Sequence, residues 1–310
     1  MTSRPSRLLG SLYGSLIGDA LGVPVEFRSR DDRVLDPVTG MRGYGTHGQP
    51  AGTWSDDGAL LLCSVESLVE KGFDTQDMGE RFVRWVKAGH WSAHGTVFDI
   101  GIATRKALRL IEEGCPAELA GGTSAYDNGN GSLMRILPVV LASLNEPPET
   151  MTRQVFRASA VTHGHERSQL ACAFYGHVIR HLMAGIPATE ALTQALTAFE
   201  QAHQDSPEMG CFRDLLNADL ASWPADEVSS GGYVMETLTA ALWCLLTTSS
   251  FSECVLKAVN LGDDTDTTGC VAGGLAGALY GLDAIPANWL APLPRQEELK
   301  HLFERFIQTC

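Results

Sequence analysis

Apolar positions recur at three- and four-residue spacing along nearly the whole chain, and runs alternating every second residue are few. Leu8, Leu12, Leu16 and Ala20, with Ser15 and Asp19, predict a first helix that Pro24 stops. Leu60, Leu61, Val65, Leu68 and Val69 predict a second over Asp56–Lys71, capped by Ser55 or Asp56. The same spacing predicts helices near 75–88, 101–113, 131–143, 148–162, 166–184, 187–201, 232–247, 251–261, 267–282 and 296–309, with Gly and Pro gathered between them. There is no fixed repeat and no low-complexity linker, and the polar stretches 204–210 and 223–231 are too short to divide the chain. The expected architecture is all-α: a single domain over 1–310, built as a large irregular (orthogonal) helical bundle.

Two features depart from a plain core pattern. Gly10, Gly14, Gly18 and Gly22 fall every fourth residue on one face of the first helix. Each costs about 1 kcal/mol of helix propensity relative to Ala, so the stripe implies that a backbone or a ligand comes close there. The segment 27–52, rich in Gly, Pro, Asp and Arg, predicts a long loop that serves function or wraps the surface.

With 44% apolar and 19% charged residues the composition is that of a globular protein, and the net charge of −14 argues against a general nucleic-acid grip or an anionic membrane surface. The eight cysteines are scattered without a Cys-x-x-Cys pair and mostly sit in apolar helical contexts. They read as reduced core residues rather than a disulfide frame or zinc site. The longest apolar stretch, around 237–246, is too short to span a bilayer, and the N-terminus lacks a signal-peptide pattern. The expected location is the cytoplasm.

The densest chemistry lies in Gly262-Asp263-Asp264-Thr265-Asp266-Thr267-Thr268, where three carboxylates and three hydroxyls open a helix. One Asp suffices as a cap. Three carboxylates repel by more than the 0.3–1 kcal/mol that a helix N-terminus returns for each, so they either face water or surround a cation. Hard oxygen ligands on short side chains suit magnesium or manganese better than zinc. Gly52-Thr53-Trp54-Ser55-Asp56-Asp57-Gly58 repeats the arrangement some 200 residues away. Two facing clusters of this kind favour a two-metal site. The turn Asp127-Asn128-Gly129-Asn130-Gly131-Ser132 offers backbone N–H groups to a phosphate.

Taken in order, Gly18-Asp19-Ala20-Leu21-Gly22 with Glu26, Gly52 to Asp57, Asn130-Gly131-Ser132-Leu133-Met134-Arg135, Thr162-His163 and Gly262 to Thr267 resemble the ADP-ribosylglycohydrolase family over about 8–282. The resemblance implies an all-α fold, two Mg2+ or Mn2+ ions, and hydrolysis of the N- or O-glycosidic bond at the anomeric carbon of an ADP-ribosylated acceptor. It implies metal ligation by Ser55, Asp56, Asp57, Asp264, Asp266 and Thr267, with Ser55 where Thr is commoner and Gly58 where the pattern often has Thr. Glu26 and the aspartates Asp56, Asp57 and Asp264 would then handle protons, while Asn130, Gly131, Ser132 and His163, with Tyr233 and Asp99, would contact substrate. Asp263 is left as a helix cap, and Trp85, Trp91, Phe174 and Trp243 read as core.

The expected partner is an ADP-ribosylated protein or small molecule, arginine being the favoured acceptor and an ADP-ribosylated base remaining open; no membrane partner is expected. Two rival functions remain: a metal-dependent nucleotide phosphohydrolase, and an ADP-ribose binder or toxin-neutralising immunity protein.

Overall fold

The computed structural model describes residues 2–213, 215 and 219–310. In chain order its α-helices are α1 Arg4–Gly22, α2 Arg30–Leu35, α3 Asp56–Lys71, α4 Thr75–Ala88, α5 Ile102–Glu112, α6 Leu137–Ala142, α7 Pro148–Ala160, α8 Glu166–Met183, α9 Ala188–His203, α10 Val234–Leu246, α11 Phe251–Val259, α12 Thr265–Tyr280, α13 Ala287–Leu290 and α14 Gln296–Ile307. The described residues contain no strand, only the isolated bridges Tyr44–Gln49, Gly122–His163 and Gly129–Tyr233. The fold is all-α.

The helix pair α1 and α12 is the spine. The glycine stripe of α1 meets a second one, Gly269, Gly273 and Gly277, running antiparallel on α12. A Cβ on Gly18 would lie 1.9 Å from the Gly269 carbonyl oxygen, one on Gly14 2.3 Å from that of Gly273, and one on Gly277 2.0 Å from that of Gly10. The helix-propensity cost of these glycines is thus exchanged for backbone-to-backbone packing. At the far end a Cβ on Gly22 would sit 2.3 Å from Cα of Asp266, so the end of α1 lands on the acidic start of α12.

Around this spine lie the aromatic and aliphatic core residues, including Trp85, Trp91, Phe174 and Trp243, all at most 6% exposed. The segment Arg4–Val25 is long and apolar enough to cross a membrane, with mean hydropathy 1.3, so it replaces 237–246 as the most membrane-like stretch. Of its most apolar window 89% is buried inside the protein, as in the central helix of a packed bundle.

Several expected boundaries move. The first helix does stop ahead of Pro24, at Gly22, and Pro24 sits in the 3-10 turn Val23–Val25 that follows directly. The expected loop 27–52 contains α2, begun by a capping box in which Ser29 and Asp32 satisfy each other's backbone N–H. The expected helix 131–143 is only the 3-10 turn Leu133–Arg135 followed by α6, because Pro138, as a helix-start residue, restarts the winding there. The helix expected at 267–282 begins two residues earlier, at Thr265.

Candidate active site

The cleft is built where two helix N-termini meet. At α3, Ser55 is the cap and its Oγ accepts from the Asp57 N–H at 3.2 Å. Two more amides at that end are satisfied from a distance: both oxygens of Asp19, on α1, accept from Ser55 N at 3.0 Å, and one accepts from Gly58 N at 2.8 Å. With capping done by Ser55 and Asp19, the side chains of Asp56 and Asp57 are free for other work.

The α12 terminus is arranged likewise. Asp264 stands at its cap position without bonding its own helix's backbone there, and its Oδ2 accepts from Asn130 Nδ2 at 2.8 Å. Thr265 turns its hydroxyl to the Gly22 carbonyl at 2.8 Å. Thr267 Oγ1 donates to Asp57 Oδ1 at 3.4 Å, linking two clusters 210 residues apart. Asp57 Oδ2 and Asp266 Oδ2 are buried and have no hydrogen-bond partner among the described residues.

Asp263 is not the cap. It lies one residue upstream with φ 58°, exposed, and its backbone forms a reciprocal pair: Phe27 N donates to Asp263 O at 2.7 Å and Asp263 N donates to Arg28 O at 2.8 Å. That pair, with Phe27 also left-handed at φ 61°, fixes Glu26 over the start of α12. Glu26 Oε2 meets His47 Nε2 at 2.5 Å. Ligand atoms of Glu26, Asp264 and Asp266 lie within 4.8 Å of one another, as do those of Glu26, His47 and Asp99.

These groups floor a cleft of about 530 Å³. Glu26, Asp56, Asp57, Asp99, Asn130, Gly131, His163, Asp264 and Thr267 line it, Asp266 lies beneath, and Phe27, Ile102 and Tyr126 form an exposed apolar rim. Ser55 caps α3 below the floor. Ser132 is buried among Ser159 and Cys172 and does not line the cleft. Tyr233 stands behind Gly232, its hydroxyl accepting from Arg167 Nη1 at 3.2 Å. Of the neighbouring histidines, His163 faces the cleft, whereas His165 caps α8 by accepting from Arg167 N. The amides of Gly131 and Ser132 donate to no group among the described residues.

Sequence reading passed over three contributors. Asp19 was visible only as part of Gly18 to Gly22, His47 lay in a loop without a pattern, and Thr104 carries a buried hydroxyl, without a partner among the described residues, beside Gly131. A lone Asp at the end of an apolar helix face was the one local signal for Asp19.

Electrostatics follow from the crowding. Burial first, then the neighbouring carboxylates, aspartates for Asp56 and Asp57 and Glu26 foremost for Asp266, raises these three carboxyls well above their ordinary range. Burial also outweighs the hydrogen bonds that lower Asp264. Asp19 is raised to about 7, again chiefly by burial, and Glu26 to about 10 by burial, then Asp99 and Asp264. Among the described lining residues only Lys106 carries a fixed positive charge. Orphaned carboxylate oxygens without cationic partners are costly unless protonated or bound to a cation. An all-oxygen donor set of Asp and Thr side chains fits a hard divalent ion.

An all-α scaffold that converges two acidic helix N-termini under an open cleft, with carboxylates that could hold a metal ion, fits the class of metal-assisted hydrolases. The chain belongs to the ADP-ribosylglycohydrolase family, whose model matches residues 1–310. It is therefore an enzyme of the ADP-ribosyl hydrolase type. The ADP-ribosylarginine hydrolase Tri1 of Serratia proteamaculans is 33% identical over 96% of this chain and 78% of that protein. The ADP-ribosyl-[dinitrogen reductase] glycohydrolase of Rhodospirillum rubrum is 31% identical over 94% of this chain and 92% of its own length. A solved ADP-ribosylglycohydrolase-related protein complex superposes with TM-score 0.83 at 34% identity, covering 100% of this chain and 99% of that one.

Proposed function

We propose that the protein removes ADP-ribose from ADP-ribosylated arginine by attack of water at the anomeric carbon, reversing mono-ADP-ribosylation. The observation that carries this is the meeting of Asp57 and Thr267 across the cleft floor, with a buried unpartnered oxygen on each of Asp57 and Asp266. Asp56, Asp57, Asp264, Asp266, Thr267 and Ser55 would hold two Mg2+ or Mn2+ ions. When bound, these supply Lewis acidity toward the ribose hydroxyls and the attacking water.

The chain's own groups do the rest. Glu26 reaches over Asp264 and Asp266, and its buried carboxyl can hold a proton and exchange it with water or the departing acceptor. Asn130 steadies Asp264 with one amide proton and bonds Thr237 Oγ1 with the other, both at 2.8 Å. The unused N–H group of Gly131, with His163, suits the diphosphate. Asp99, which lines the cleft, favours a cationic acceptor such as a guanidinium. Arginine is also the acceptor in the name of the Serratia relative.

ADP-ribosyl-arginine and ADP-ribosyl-serine peptides and O-acetyl-ADP-ribose, each incubated with Mg2+ or with EDTA, test the proposal. Intact ADP-ribose should appear from the arginine peptide only with Mg2+, and the double variant Asp264→Asn/Asp266→Asn should lose this release. AMP or inorganic phosphate as product, or an active double variant, would refute it.

A further inference from the structure

Arg135 is 0% exposed and has no carboxylate partner among the described residues. Its guanidinium stacks on Phe82, with Cζ 4.7 Å from the ring centre. Nη1 and Nη2 each donate to the Ala158 carbonyl at 3.2 Å, and Nη2 also donates to Thr162 Oγ1 at 2.6 Å. The same Thr162 oxygen lies 2.9 Å from His163 Nδ1.

The proton count along this line has one solution. Arginine only donates, so Thr162 Oγ1 is an acceptor toward Arg135. The buried Thr162 hydroxyl has one proton, and among the described residues the only acceptor within its reach is His163 Nδ1. Nδ1 therefore accepts, and in the neutral ring the proton sits on Nε2. The Nε2 edge has no protein partner among the described residues and faces the Gly129 to Gly131 turn, 3.4 Å from where a Cβ on either glycine would stand.

We propose that Arg135 and Thr162 are positioning residues that fix His163 as the Nε2–H tautomer, so that the cleft is presented with a neutral hydrogen-bond donor beside the free amide of Gly131. The relay gives a role to a guanidinium buried without a counter-ion among the described residues: it takes one lone pair of Thr162, whose single proton then has His163 Nδ1 as its acceptor. Burial, and then the charge of Arg135, lowers the His163 pKa to about 3, in keeping with a ring that stays neutral. The role in binding rests on the proposed function, in that it requires the ADP-ribose diphosphate to lie on this turn.

Replacing buried Arg135 endangers folding, so Thr162→Val and Thr162→Ser carry the test in the full-length protein. Valine keeps the branched shape and removes the hydroxyl; serine keeps the hydroxyl. Two-bond 1H–15N spectra of histidine-labelled protein, with His163→Gln to assign the signal, should show Nε2–H with Nδ1 accepting a hydrogen bond in the wild type. Thr162→Val should shift the Nδ1 resonance toward a free lone pair and weaken ADP-ribose binding roughly 10-fold or more, and Thr162→Ser should restore both. A wild-type Nδ1–H tautomer overturns the proposal, as does a Thr162→Val protein with unchanged Nδ1 shift and affinity. Absence of ADP-ribose binding by the wild type would instead count against the functional reading, and the nitrogen shifts would still decide the relay.

Discussion

Asp57 and Asp266 carry the site's chemistry in its most concentrated form: two carboxylates at most 1% exposed, each with one oxygen left unpaired. In the cation-free protein each is a burden, because burial and like charge raise the cost of ionising it. Asp266→Asn should therefore raise the melting temperature in EDTA at pH 8 by about 2 °C or more, abolish the further rise that Mg2+ gives, and lower turnover roughly 10³-fold. Thermal unfolding with and without Mg2+, beside an ADP-ribose release assay, checks all three. The acidic residues were legible in the sequence because two Ser/Thr-Asp clusters at helix starts exceed what capping needs. Asp19 was not, since its work at Ser55 and Gly58 depends on α1 and α3 meeting in space. Asp263 misled for the reverse reason: Asp before a helix reads as a cap, and only its left-handed backbone shows it tying down Phe27 and Arg28.

At the scale of elements, α1 and α12 set the separation of the clusters. The four-residue glycine period of α1 announced a close approach, but not whether a ligand or a backbone makes it; the matching period of Gly269, Gly273 and Gly277 answers that once both helices are placed. Gly18→Ala would push a methyl into the Gly269 carbonyl, which cannot rotate away, and should destabilise by about 3 kcal/mol, whereas Gly210→Ala, with nothing within 4 Å, should change stability by less than about 0.5 kcal/mol. Urea unfolding of the two variants measures the contrast. Boundaries were less legible where tertiary bonds overrule local pattern. The 131–135 stretch stays out of α-helix because Asn130 is held by Gly232 O, Thr237 and Asp264. α2 was hidden because its six residues bury only Arg33 and so leave almost no apolar period.

For the whole molecule, the cleft stores repulsion that pH reports. Carboxyls raised in the folded state contribute stability that is fully present below about pH 4 and lost as pH rises through the folded values, about 7 for Asp19 and about 10 for Glu26. His163, lowered to about 3, acts in the opposite sense but only below about 6.5. From pH 6.5 to 8 the melting temperature in EDTA should fall by roughly 2 to 4 °C per pH unit, and saturating Mg2+ should flatten that slope by taking the place of the protons. The all-α class was readable from periodicity alone; the cleft was not, since it exists only where termini distant in the chain converge. Anomalous diffraction from crystals soaked in manganese tests that convergence most directly. Two peaks between Asp56, Asp57, Asp264, Asp266 and Thr267 are the predicted result, and a cleft without manganese there would contradict the account.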